Sequence, residues 1–167
     1  LATNDTVKFD IAGSTKWTLN SSGNLFPAAT TQGIVLGATS DTAANRLEDY
    51  EEGTWTPTDQ SGGSLSMTVW VATYTKIGNQ VFFEIGFAFP TTSDSNDIRL
   101  SLPFTAVNSG DNTGGATLSG TNSSRQDCWL VLRNTSNLAC NSIANSSVSN
   151  ATYSAKQVKL VGQYTAA

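Results

Sequence analysis

The densest group of chemically capable side chains lies in "ANRLEDYEEGTWTP", residues 44–57. Here Glu48, Asp49, Glu51 and Glu52, four of the chain's thirteen acids, occupy five positions beside Tyr50 and Trp55. Two carboxylates about 5 to 10 Å apart can hydrolyse a glycosidic bond, and a denser group can hold a hard cation such as calcium. The surrounding sequence supports neither chemistry. The chain contains no histidine, which removes the commonest general base and the commonest zinc ligand, and with them serine triads, cysteine–histidine pairs and imidazole metal sites. The acids also lack the alternating Asp/Asn spacing and turn glycine of a calcium loop. The expectation is therefore no catalytic residue, no metal and no cofactor, with the acids solvated or paired to Arg46 or to Lys16 of a neighbouring chain.

A second chemistry is written in the loops "TTSDSNDI", "NSGDNTGG", "SGTNSSRQD" and "NSIANSSVSN". Sugars are held by hydroxyl and amide hydrogen bonds with an aromatic ring under the pyranose, and these loops are rich in both polar types. Arg125 and Asp127 are the preferred polar contacts, with Trp129, Tyr153 and Tyr74 as ring platforms within reach. The same loop composition also suits the ends of any β-sandwich. Trp70 and Trp129 fall in strand patterns and read as core.

These residues must be positioned by a chain of 167 residues, enough for one domain or a smaller domain with an appendage. It begins at Leu1, as a piece of a longer protein would, and Leu1 to Asp10 has no signal-peptide pattern. Only 13% of residues are charged, with a net charge of -4, which gives no footprint for nucleic acid or an anionic membrane. No apolar run approaches the ~20 residues of a membrane helix. Ser, Thr and Asn make up about a third of the chain, so its surface is neutral and hydroxyl-rich. Cys128 and Cys140 flank "WLVLRNTSNLA" and could meet across a hairpin, or remain as two half-buried thiols.

In "SLSMTVWVATYTKIGNQVFFEIGFAF", Leu65, Met67, Val69 and Val71 alternate with polar or small residues, which is strand periodicity. Gly78-Asn79 marks a tight hairpin turn. Further strands are predicted at "DIRLSLPF", "GATLSG", "CWLVLRN" and "QVKLVGQYT", a spacing that suggests a β-sandwich or barrel. Ahead of them, Ala43, Leu47 and Tyr50 share one helical face, with Asp41 as cap and Gly53 as stop, so a short helical joint is predicted over 41–53. Tyr50 and Trp55 would be its apolar anchors, and Pro57 would stiffen the entry to the first strand. Residues 1–40 hold only brief apolar pieces. They cannot bury enough surface alone, so Trp17, Leu19, Leu25 and Phe26 are expected to face an axis shared with other copies.

Several words of this sequence, in order, resemble bacteriophage fibre proteins. "FDIAGSTKWTLNSSGNLFP" is similar to a segment that recurs in tail fibres and virion adhesins. "NRLEDYEEGTWTPT", "ATYTKIGNQVFFEI", "LSLPF" and the closing "VKLVGQYT" resemble the C-terminal β-domain of such fibres. The resemblance implies an all-β homotrimer located in the virion: an intertwined β stalk over 1–40, the joint over 41–53 with Leu47, and an antiparallel, jelly-roll-like β-sandwich head over 54–167. It further implies attachment to a host polysaccharide or lipopolysaccharide, and contact with other virion proteins through a missing N-terminal part. The rival readings are a purely structural virion protein, such as a capsid decoration or head fibre, and a glycan-depolymerising tailspike.

Overall fold

The computed structural model describes residues 6–29, 31–36, 39–40, 46–47, 49–110, 112–132, 134–144 and 146–167. The protein is all-β, and its chain divides into two compact units, Leu1–Tyr50 and Glu51–Ala167. Among the described residues no helix is long and apolar enough to cross a membrane.

The N-terminal unit is built on β1 (Val7–Ile11), β2 (Ser14–Leu19) and β3 (Leu25–Pro27), an antiparallel meander. Ala12 and Gly13 both take positive φ, the twist that a two-residue hairpin requires. Between β2 and β3 the Asn20 carboxamide oxygen accepts the backbone N–H groups of Ser22 and Asn24, which is how "NSSGN" reverses the chain. Strands β4 (Ile34–Val35) and β5 (Arg46–Leu47) form a separate pair, with Leu47 opposite Ile34. In the three-stranded sheet Phe9, Trp17 and Pro27 lie in one cross-strand row, and Val7, Leu19 and Leu25 in another on the same face. Phe26 pairs with Thr18 and points the opposite way. A single face therefore cannot carry all four residues expected on a shared axis, because neighbours in a strand alternate sides.

The C-terminal unit is one curled antiparallel sheet. Its strands are β6 (Tyr50–Thr54), which starts at the unit boundary, β7 (Thr68–Ile77), β8 (Gln80–Ala88), β9 (Arg99–Ser101), β10 (Gly114–Thr121), β11 (Cys128–Val131), β12 (Asn137–Asn141) and β13 (Gln157–Thr165). The order across the sheet is β6-β7-β8-β13-β10-β11-β12-β9. Gly78, with φ of 59°, makes the β7–β8 turn where Gly-Asn predicted it. The chain just after β6 returns to the far edge. Gln60 N–H donates to Arg99 O at 2.8 Å and Ser101 N–H to Thr58 O at 3.0 Å, so residues 58–60 line β9 while β6 lines β7.

Trp55 sits at this seam and ties β7, next to the β6 edge, to β9 at the far edge. Its backbone N–H donates to Ala72 O on β7 at 3.3 Å, and its indole N–H to Ser101 O on β9 at 3.2 Å. Inside the curl, alternate residues Val81, Phe83, Ile85 and Phe87 of β8 meet Val158, Leu160 and Tyr164 of β13. Each such buried side chain stabilises the unit by about 1.5–3 kcal/mol.

The helix expected over 41–53 is not formed where the structure describes it. Arg46–Leu47 and Tyr50–Thr54 are strands, while Asp41, Ala43 and Glu48 lie outside the described residues. Acids crowded at a helix C-terminus oppose the dipole, and edge pairing with β7 satisfies this backbone instead. Tyr50 is exposed, so of the two expected anchors Trp55 is the one packed against the core. The cysteines are both free. Cys140 pairs with Trp129, one position away from Cys128, so the two thiols fall on opposite faces of the hairpin.

Two buried tyrosines couple this core to alkaline pH. Burial pushes Tyr164 up to about 12, against the smaller opposing effect of its hydrogen bond to Phe104 O. Burial also raises Tyr153, followed by Cys140 and Asp127. Both folded values exceed the unfolded one. Their stabilisation is complete below about pH 10 and is lost as pH rises through the folded values, because the unfolded chain sheds protons first. Urea midpoints should therefore fall between about pH 10 and about pH 12, and Tyr164→Phe should flatten that fall. An unchanged slope in the variant would rule Tyr164 out as a contributing group.

Candidate functional site

Glu48 of the opening stretch lies outside the described residues, and Glu51 and Glu52 do not converge on one point. Glu51 and Glu52 are consecutive in β6, so their side chains leave opposite faces. Glu51 accepts a short hydrogen bond from the Tyr74 hydroxyl, which is the main reason Tyr74 is raised above the usual phenol range. Gly53 lies under the same ring, where a Cβ would meet the Tyr74 hydroxyl. Among the described residues no group of three or more Asp, Glu, Cys or His is placed to hold a metal.

Arg125, Asp127, Trp129 and Tyr153 are brought together, with all but the exposed Arg125 turned inward. Arg125 grips Asp127 through two bonds, Nε to Oδ2 at 2.7 Å and Nη2 to Oδ1 at 2.8 Å, and the Tyr153 hydroxyl donates to Asp127 Oδ2 at 3.0 Å. The Asp127 side chain is only 4% exposed against 41% for Arg125. Trp129 and Tyr153 are fully buried and meet edge to face at 6.0 Å. Neither ring presents a face to solvent, which corrects the sugar-platform reading of both. Strand alternation turns Trp129 into the core, and Asp127 pins the 122–127 loop onto the Tyr153 hydroxyl.

The polar loops are similarly occupied with one another. The described residues of those over 91–98, 119–127, 141–144 and 146–150 gather at one end of the sheet, and 108–110 with 112–115 lie at the other beside the Gly78-Asn79 turn. Asn150 is fully buried and donates to Ser61 Oγ at 2.9 Å and Asp94 Oδ2 at 2.7 Å. Asn122 Oδ1 accepts from Gln157 N–H, and Ser154 Oγ from Thr92 N–H. Much of the amide and hydroxyl content that suggested sugar binding ties loop to loop.

Exposed aromatic surface lies instead on the outer face of the sheet. Trp70, expected in the core, is 50% exposed, and Phe82 and Val161 are also exposed. Trp70 occupies a register shift between Val69 and Val71 and lies across Gly86, where any Cβ would collide with its indole. A depression of about 420 Å³ adjoins it, walled on the solvent side by Thr54, Thr56 and Thr73. The signal was present in the alternation. If Leu65, Met67 and Val69 face inward, Trp70 belongs with Ser66 and Thr68 on the polar face. Comparison with protein families, curated proteins and solved structures finds no match to this chain.

Proposed function

We propose that this chain is a segment of a bacteriophage fibre, in which three copies intertwine through residues 1–40 and the C-terminal unit is a non-enzymatic head that attaches the particle to a host surface polysaccharide or lipopolysaccharide. One observation carries the reading. The N-terminal unit leaves Val7, Phe9, Leu25 and Ile34 exposed, and Phe9, Trp17, Leu25 and Ile34 line an apolar hollow of about 320 Å³. Copies of the same strands would cover that surface, and a sheet this small gains little without such cover.

Two of the words that resemble fibre proteins fall on neighbouring strands of the large sheet. "ATYTKIGNQVFFEI" spans the β7–β8 hairpin, and "VKLVGQYT" lies in β13, which pairs with β8. Phe87 of β8 meets Trp129 of β11 across the interior at 6.3 Å, which supports reading the curled sheet as a jelly-roll-like sandwich. Three heads per fibre raise avidity well beyond that of a single weak site.

Labelled recombinant chain should stain susceptible cells, and an antibody to it should block adsorption. Absence of both effects would turn the reading toward a purely structural virion protein. Purified host polysaccharide should gain no new reducing ends on incubation, and their appearance would make the protein a depolymerase. Leu25→Asp should separate the copies, measured by light scattering, while leaving the melting of the C-terminal unit unchanged.

A further inference from the structure

We propose that Trp70 is the stacking platform of a saccharide site on the outer face of the sheet, and that its ligand is an uncharged pyranose. The inference rests on the glycan-attachment reading and gives it a place and a sugar class. Trp70 is half exposed, and the edge of its indole rests against Gly86. Gly86, opposite Val71 on β8, leaves room for the indole, which would meet any Cβ there, and the Val71 side chain buttresses the same spot. A ring held in this way loses little freedom when a pyranose C–H face packs on it.

Beside the ring, Thr54, Thr56 and Thr73 are exposed around the 420 Å³ depression, a size suited to one or two sugar units. Threonine hydroxyls both donate and accept, which matches the equatorial hydroxyls of a hexose. The residues lining the depression carry no charge. On the flanking strands Lys159 pairs with Glu84 at 2.7 Å, and Glu52 lines the adjoining hollow. Among the described residues of the C-terminal unit, none lining the depression supplies the net positive field that a uronic or sialic acid would need.

The test is titration of the ¹⁵N-labelled chain with lactose and maltohexaose, and in parallel with glucuronic acid and N-acetylneuraminic acid. The Trp70 indole N–H resonance, assigned by its loss in Trp70→Phe, is followed. Neutral sugars should move it and the acidic ones should not. In cell staining Trp70→Ala should lose about tenfold in binding or more, and Trp70→Phe should retain most of it. Because the side chain is half exposed, both variants should fold, which amide spectra check.

No shift with any neutral sugar overturns the proposal, and so does equal response to acidic sugars. A shift that follows protein concentration and not sugar marks a contact between copies and overturns it as well. If the chain stains cells and Trp70→Ala stains equally, the platform fails and glycan attachment stands. If the wild type does not stain while neutral sugars move the resonance, attachment fails and the platform stands.

Discussion

Trp55→Ala is expected to lower the unfolding free energy of the C-terminal unit by about 3–5 kcal/mol, the usual cost of truncating a packed tryptophan. The effect comes from more than volume. Trp55 packs between Tyr74, at 6.4 Å, and Phe83, at 6.3 Å, while its two N–H groups bind β7 on one side of the seam and the edge strand β9 on the other. Removing the ring opens the seam between residues 58–60 and β9, where the neighbouring hydrogen bonds then become exposed to water. Trp55→Phe separates the contributions. It retains most of the packing but loses the bond to Ser101 O, at a cost of about 0.5–1.5 kcal/mol for that bond. Urea unfolding followed by far-UV circular dichroism measures both variants. Equal stability of Trp55→Ala and wild type would contradict the closed seam.

Asp127→Ala should be the next most damaging change, at about 2–4 kcal/mol, because it strips the buried Tyr153 hydroxyl of its acceptor and frees the Arg125 guanidinium. Arg125→Ala should cost less than about 1 kcal/mol, since that end of the pair is open to solvent. The asymmetry distinguishes a structural clamp from a ligand contact. Were these residues sugar contacts, both substitutions would reduce cell staining with little change in stability. The expected result is the reverse for Asp127→Ala, a lower melting temperature in every assay, and near-neutrality for Arg125→Ala.

Local pattern was sufficient for much of this fold. The Gly78-Asn79 hairpin, the all-β class and the strands around "GATLSG" and "QVKLVGQYT" follow from alternation and turn chemistry, which act over a few residues. Strand β12 was hidden because Asn137 and Asn141 bracket only three apolar residues, and their burial is set by pairing with β9 and β11. The helix expected over 41–53 rested on three apolar positions at helical spacing; among the described residues, pairing with β4 decided the outcome for 46–47 and an available edge on β7 decided it for 50–54. The seam closed by Trp55 joins residues more than forty positions apart, a distance over which local periodicity carries no register.

The candidate site shows the same division. Arg125, Asp127, Trp129 and Tyr153 do cluster, yet composition alone could not tell that Asp127, Trp129 and Tyr153 turn inward while Arg125 stays at the surface, because facing depends on strand phase. For Trp70 that phase was available in the sequence, and it points outward.

The claim on which the fibre reading depends is that the N-terminal unit is covered by copies of itself. The most direct measurement is the mass of the recombinant 167-residue chain in solution by light scattering. Three chains per particle, falling to one in Leu25→Asp, is the expected result; a wild-type monomer with Phe9, Leu25 and Ile34 still open to solvent would contradict it.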